Sequence, residues 1–160
     1  MNLSANKILD ELKKCGVTHI VHLPDSDTQF IYDAMMERKD IPVVMVCREG
    51  EALPVALGLF LGGKKPVLLH QNTGLIETGD SLRLGIDMEM PLVILIGYRG
   101  WRFGETLTDS AAIFTSPFLN AFGIKSYLVE KDEDVGLISK AYQEANDNNK
   151  LIAVLIATGR

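Results

Sequence analysis

The chain is short of the features that mark a membrane protein, a secreted scaffold or a nucleic-acid binder. It has only two cysteines in 160 residues, Cys15 and Cys47, far apart and with no CxxC spacing. That excludes a disulfide framework and fits a reducing cytoplasm, with both thiols packed. The longest apolar runs, 53–61, 91–96 and 151–157, fall well short of the ~20 residues of a spanning helix. A basic excess is missing as well. Lys and Arg total 16 against 21 Asp and Glu, a net charge of −5, so there is no electrostatic footprint for nucleic acid. The N-terminus, MNLSANKILDELKK, has no apolar h-region, so no signal peptide is expected. No repeat, linker or low-complexity stretch interrupts the chain. What is there, 47% apolar and 23% charged residues, is ordinary for one globular domain with its own core.

Apolar periodicity switches repeatedly between helix and strand spacing. Leu3, Ile8, Leu9, Leu12 and Cys15 predict a first helix, with Ser4 as N-cap and Gly16 as terminator. Strands are predicted over 18–23, 43–47, 66–70, 92–96, 125–129 and 151–157. Between them, helices are predicted over 28–38, 51–61, 81–88, 111–122 and 132–146, with Pro54 placed in a first turn. Residues 97–110 read as a long loop. Strands 2, 4 and 6 are apolar throughout rather than alternating, the pattern of strands covered on both faces. The expected fold class is α/β, a parallel sheet between helix layers. In such sheets ligands bind where the strands end, which directs attention to 24–27, 48–51, 71–74 and 97–104.

Most motifs at those places have a plainer use than chemistry. Residues 58–65 nearly spell a phosphate loop. However, Lys65 stands where Ser or Thr would hold magnesium, and the segment ends a helix instead of opening one. Asp25 and Asp27 resemble a phospho-acceptor's acidic pair, but Gln71-Asn72-Thr73 stands where the acceptor Asp would be. Helix capping by Asp25, Ser26 or Asp27 accounts for them. His19 and His22 are three apart, which puts them on opposite faces of a strand, so no metal site is assigned. His70, at the end of the third strand, is the better site histidine. Tyr98-Arg99-Gly100-Trp101-Arg102-Phe103-Gly104 carries two arginines suited to an anion on a loop expected to be mobile. An ordinary solvated loop reads equally well. Arg48-Glu49-Gly50-Glu51-Ala52 is the sharpest signal: capping explains one acid there, and a second, partly out of water at the sheet mouth, suits proton relay.

Taken in order, four segments resemble a single family over essentially the whole chain. They are Glu49-Gly50-x-Ala52, Gly58-x-x-Leu61-Gly62-Gly63-Lys64-x-Pro66, Gln71-Asn72-Thr73-Gly74-Leu75 and Gly97-Tyr98-Arg99-Gly100. The family is the pyrimidine-binding (PYR) domain of thiamine-diphosphate enzymes. Closest in pattern are the α subunits of sulfopyruvate decarboxylases and the matching half of phosphonopyruvate decarboxylases. The resemblance implies a three-layer α/β/α sandwich on a six-stranded parallel sheet, and a single PYR-type domain over residues 1–160. It implies that Glu49, with Glu51 as fallback, meets N1′ of the cofactor's aminopyrimidine, and that Gln71, Asn72, Thr73 and Gly74 line the cofactor pocket. An acid on N1′ favours the imino tautomer that takes the thiazolium proton, and the cofactor ring then stores the electrons released as a 2-oxo acid loses carbon dioxide. Arg99, Arg102 and His70 are the expected substrate contacts, with no metal ligand on this chain.

Two departures from the family pattern shape the remaining expectations. The usual Gln-Asn-Ser-Gly-Leu-Gly-Asn ends here in Ile76-Glu77. Glu77 is expected to bring negative charge near the pocket and so to favour a sulfonate over a phosphonate. Second, no Gly-Asp-Gly with a later Asn pair occurs; Gly79-Asp80 stands alone. Thiamine diphosphate is therefore expected to be shared with a PP-domain β subunit that carries that motif and Mg2+. The αβ pair is expected to self-associate, with neither nucleic acid nor membrane as partner. The expected activity is that of the α subunit of a 2-oxo acid decarboxylase, with sulfopyruvate first and phosphonopyruvate or another 2-oxo acid after it. The rivals are a non-catalytic PYR-like binding or regulatory subunit and a flavodoxin-like small-ligand binder.

Overall fold

The computed structural model describes residues 3–102, 105 and 107–158. Helix α1 (Ala5–Lys14) buries Ile8, Leu9 and Leu12 on one face and ends in Lys13 and Lys14, cations placed well for its dipole. Gly16, at φ +76°, then turns the chain into β1 (His19–His22). There follow α2 (Gln29–Arg38), β2 (Val43–Met45), α3 (Glu49–Leu61), β3 (Pro66–Gln71), α4 (Asn72–Glu77) and α5 (Gly79–Asp87). The rest is β4 (Leu92–Gly97), α6 (Ser110–Ala121), β5 (Lys125–Val129), a 3₁₀ turn (Asp132–Asp134), α7 (Leu137–Asn148) and β6 (Leu151–Ile156).

The six strands form one all-parallel sheet in the order β2-β1-β3-β4-β6-β5. Side chains alternate between its two faces. Val67 and Leu69 of β3 join Val93 and Leu95 of β4 in a core covered by α1, α2 and α7. Leu68, Ile94 and Ile96 join the opposite core, covered by α3, α4, α5 and α6. This is the expected three-layer sandwich. The chain runs outward from β1 to β2 and returns on the other side of β1 as β3. Its exits from β1 and β3 therefore lie on opposite faces, α2 on one and α4 on the other. In sheets of this order the ligand crevice belongs between the C-terminal ends of two such strands.

Several expectations need correction. Strand 2 is not covered on both faces: it is a short edge strand, and Met45 is 49% exposed. Residues 72–77, between the strand predicted over 66–70 and the helix predicted over 81–88, form a further helix. Helix α3 starts two residues earlier than its apolar periodicity indicates, because Arg48 is still extended (φ −148°) while Glu49 is already helical. Pro54 therefore sits in the second turn, where it withdraws an N–H that would bond the Gly50 carbonyl. The segment 132–146 splits into the 3₁₀ turn and α7. The near phosphate loop is a helix end, as read, with Gly62 as cap and Gly63 at φ +76°. Among the described residues no helix is long and apolar enough to cross a membrane.

Candidate functional site

Glu49 opens α3 beside the crevice and is half-buried. Its carboxyl lies against the backbone of α4 at Gly74, where a Cβ would fall 2.6 Å from the Glu49 Cδ. Only glycine leaves that hollow open. The second acid, Glu51, is exposed and differently occupied: its Oε2 accepts the Cys47 N–H at 3.1 Å. One acid thus serves the helix start and the other faces the mouth of the sheet.

Two histidines are buried at the same end. His22, last in β1, is 0% exposed, and its Nδ1 bonds the Leu69 carbonyl at 2.8 Å. His70, in β3, is 2% exposed, with Nδ1 3.2 Å from the Gln71 carbonyl. Each Nδ1 meets a carbonyl and so carries the proton, leaving a lone pair on Nε2. Burial pushes both rings below the ordinary histidine value; the Glu49 and Asp25 carboxylates act on His70 in the opposite sense. His70 Nε2, His22 Nε2, Gln71 Oε1 and Asn72 Oδ1 are buried with no hydrogen-bond partner among the described residues. Orphaned groups of this kind normally have a partner. Asn72 is fully buried and its Nδ2 ties the Arg99 carbonyl (3.0 Å) to Thr115 Oγ1 (3.1 Å). Thr73 is exposed and Gln71 half-buried. Asp25 closes the turn into α2, accepting the N–H groups of Asp27 (2.8 Å) and Thr28 (2.7 Å), in line with its reading as a capping acid. Among the described residues no three of His, Cys, Asp and Glu lie close enough to hold a metal ion.

Glu77 is taken up by the start of α3, on either side of Glu49. It hydrogen-bonds the Gly50 N–H and pairs with Arg48, and those two contacts hold its carboxyl below the usual carboxylate value. Nothing in local periodicity announces this contact. The available signal was a helix start that lacked a capping side chain of its own.

The arginine loop stands apart from Glu49. Arg99 Nε donates to Asp109 at 3.2 Å, and Arg102 lies 3.8 Å from Glu105. Both arginines border a cavity of about 470 Å³ that Asp27, Thr108 and Asp109 also line, whereas Glu49 and His70 do not. Residues 98–102 are tied down rather than loose. Tyr98 stacks on Trp101 at 5.3 Å, Trp101 Nε1 donates to Glu130 at 2.7 Å, and Gly100 adopts φ +79° where a Cβ would meet Asp109 at 2.5 Å. Phe103 and Gly104 of that motif lie outside the described residues.

Residues 4–101 match the family described as thiamine pyrophosphate enzyme, N-terminal TPP binding domain. A sulfopyruvate decarboxylase subunit alpha of Methanococcus maripaludis is 31% identical over 86 residues, 53% of this chain and 52% of that one. A sulfopyruvate decarboxylase of Methanosarcina acetivorans is 23% identical over 94% of this chain and 39% of its own length. The chain thus spans about half the length of the curated relatives it matches, or less. Among solved structures, benzoylformate decarboxylase from Polynucleobacter necessarius superposes with a TM-score of 0.79 at 22% identity, covering 99% of this chain and 30% of that one.

Proposed function

The chain belongs to the thiamine pyrophosphate enzymes, as an N-terminal TPP-binding domain, and from that premise we propose that it is the PYR subunit of a thiamine-diphosphate-dependent 2-oxo acid decarboxylase acting on sulfopyruvate. The relatives that carry the name sulfopyruvate decarboxylase support the substrate. The observation that carries the reading is the Glu49 carboxyl lying over the Gly74 backbone at the crevice. At the same end of the sheet, His70 Nε2 and Gln71 Oε1 are buried with no partner among the described residues. A half-buried acid seated against a glycine backbone, with buried polar atoms that have no partner among the described residues, fits the edge of a planar nitrogen heterocycle, so these residues would hold the aminopyrimidine. When bound, thiamine diphosphate supplies an acidic ring carbon and an electron sink for decarboxylation.

Each protein group then has a defined task. Glu49 holds a proton against a ring nitrogen, and Gly74 sets how closely its carboxyl and the ring approach. His70, neutral and with Nε2 as acceptor, receives a donor of cofactor or substrate. Arg99 or Arg102 grips the sulfonate after exchanging its present acidic partner, a trade of one charge-assisted pair for another. A PP-type β subunit brings Mg2+ and the diphosphate site, and the active centre lies between the two subunits, as in a self-associating αβ pair. The ion-paired state of both arginines favours a second reading, a monoanionic 2-oxo acid such as pyruvate. Titration calorimetry tests the shared site: the isolated chain binds thiamine diphosphate weakly, and adding the partner with Mg2+ tightens binding. Micromolar, Mg2+-dependent binding by the isolated chain would sink it.

A further inference from the structure

Helix α3 begins with two acids in its first turn, and Glu51 accepts the Cys47 N–H, but the Gly50 N–H finds no acceptor within the helix. Its capping position is Arg48, whose side chain caps nothing. Its second residue is Gly50, the costliest helix former apart from proline. Its sixth is Pro54, which removes the hydrogen bond that would close on the Gly50 carbonyl. Yet the carboxyl on which the proposed function depends hangs from this turn. The missing support comes from a second helix. Glu77, the last residue of α4, accepts the Gly50 N–H and pairs with Arg48, so it grips the residues on both sides of Glu49. The same six-residue helix supplies Gly74 beneath the Glu49 carboxyl. Backbone and side chain of Glu49 are thus referred to one element, and no other acceptor for the Gly50 N–H is present among the described residues. Arg48 is 71% exposed, so the ion pair is the weaker part and the charge-assisted bond to the backbone the stronger.

We propose that Glu77 is a positioning residue for Glu49, fixing through Gly50 the turn that aims the Glu49 carboxyl at the hollow over Gly74. The proposal rests on the reading of Glu49 as the cofactor-activating acid. It also gives the unusual acid at position 77 a task other than selecting between substrates.

Two measurements test it. The first needs no cofactor: amide hydrogen exchange at Gly50 in the full chain, followed by NMR. Glu77→Ala should speed that exchange about tenfold, the loss of one charge-assisted bond. Glu77→Gln, which keeps an acceptor, should restore most of the protection. The second is kinetics of the complex assembled with its PP-type partner. Glu77→Ala should lower kcat by about 10²-fold, the scale of a misaimed catalytic group, with KM nearly unchanged. Glu77→Gln should recover most of kcat, and Arg48→Ala should cost no more than about threefold. Should the alanine variant fail to fold, Glu77→Asp, one methylene too short, is expected to show the same losses. Unchanged exchange at Gly50 overturns the proposal, and so does a kcat that falls as far in Glu77→Gln as in Glu77→Ala. If Glu77→Ala keeps full kcat while Glu49→Gln abolishes it, the positioning role is overturned and the Glu49 reading stands. If Glu49→Gln itself keeps full kcat, both fall.

Discussion

Two regions at the same end of the sheet are built in opposite ways. The Glu49 cradle rests mainly on backbone and buried groups, with Gly74 against the Glu49 carboxyl and two histidines held by carbonyls, while the exposed Glu77 carboxylate holds the helix turn from outside. The arginine loop is anchored by an aromatic stack, but its cations lie in exposed ion pairs with Asp109 and Glu105. Groups of the first kind are preorganised and can be neither shifted nor replaced cheaply. Those of the second kind exchange partners at little cost, since an exposed pair is worth about 0–1 kcal/mol. Under the proposed function, the contrast would pair a fixed chemical centre with an adjustable anion grip.

The most severe way to break the contrast is at its rigid side. Glu49→Gln should cost about 10²–10⁴-fold in kcat of the assembled enzyme, the range of a lost acid–base group, with assembly intact by gel filtration. Glu51→Gln, which alters only a capping contact, should be much milder. If the two phenotypes exchanged, Glu51 would be the activating acid; if neither slowed the enzyme, the catalytic reading would be wrong.

Gly74→Ala comes next. Its Cβ must displace the Glu49 side chain, so kcat should fall about 10²-fold. Because the displaced group is a flexible side chain, unfolding free energy should change by no more than ~2 kcal/mol. A full-speed Gly74→Ala enzyme would show that the hollow has no role.

The adjustable side should yield less. Arg99→Ala should lower kcat/KM for sulfopyruvate about 10–100-fold and leave pyruvate nearly untouched. Asp109→Asn, which frees Arg99 while keeping an oxygen to cap α6, should move the ratio the other way. Equal kcat/KM for sulfopyruvate and pyruvate in the native enzyme would mean that no anion grip exists.

The smallest effect is on stability. Burial holds His22 and His70 below the ordinary value, so the unfolded chain takes up protons first as pH falls through about 6.5. Stability should be full above that value and decline below it. In urea titrations between about pH 7.5 and 5.5, His22→Asn should flatten that slope even if it lowers the plateau. An unchanged slope would exclude His22 as a source.

Much of this was legible without tertiary structure. Six apolar runs separated by helical periodicity define an α/β sheet, because side-chain burial leaves a one-dimensional record at the spacing of each element. The helix end at Gly62-Gly63 and the turn acid Asp25 were also legible, because helix ends and turns are local chemistry. The acid pair Glu49 and Glu51 stood out because capping at the junction of an apolar strand and an apolar helix explains only one of them, and the family resemblance pointed to Glu49. Only the folded chain decided that strand 2 lies at an edge, that 72–77 is a helix pressed on Glu49, and that Glu77 accepts the Gly50 N–H, 27 positions earlier. It also decided that Arg99 and Arg102 share a cavity with Asp109 and not with Glu49. Those facts depend on which strands become neighbours. Strand order is set by the energy of the whole sheet, and no residue records it locally.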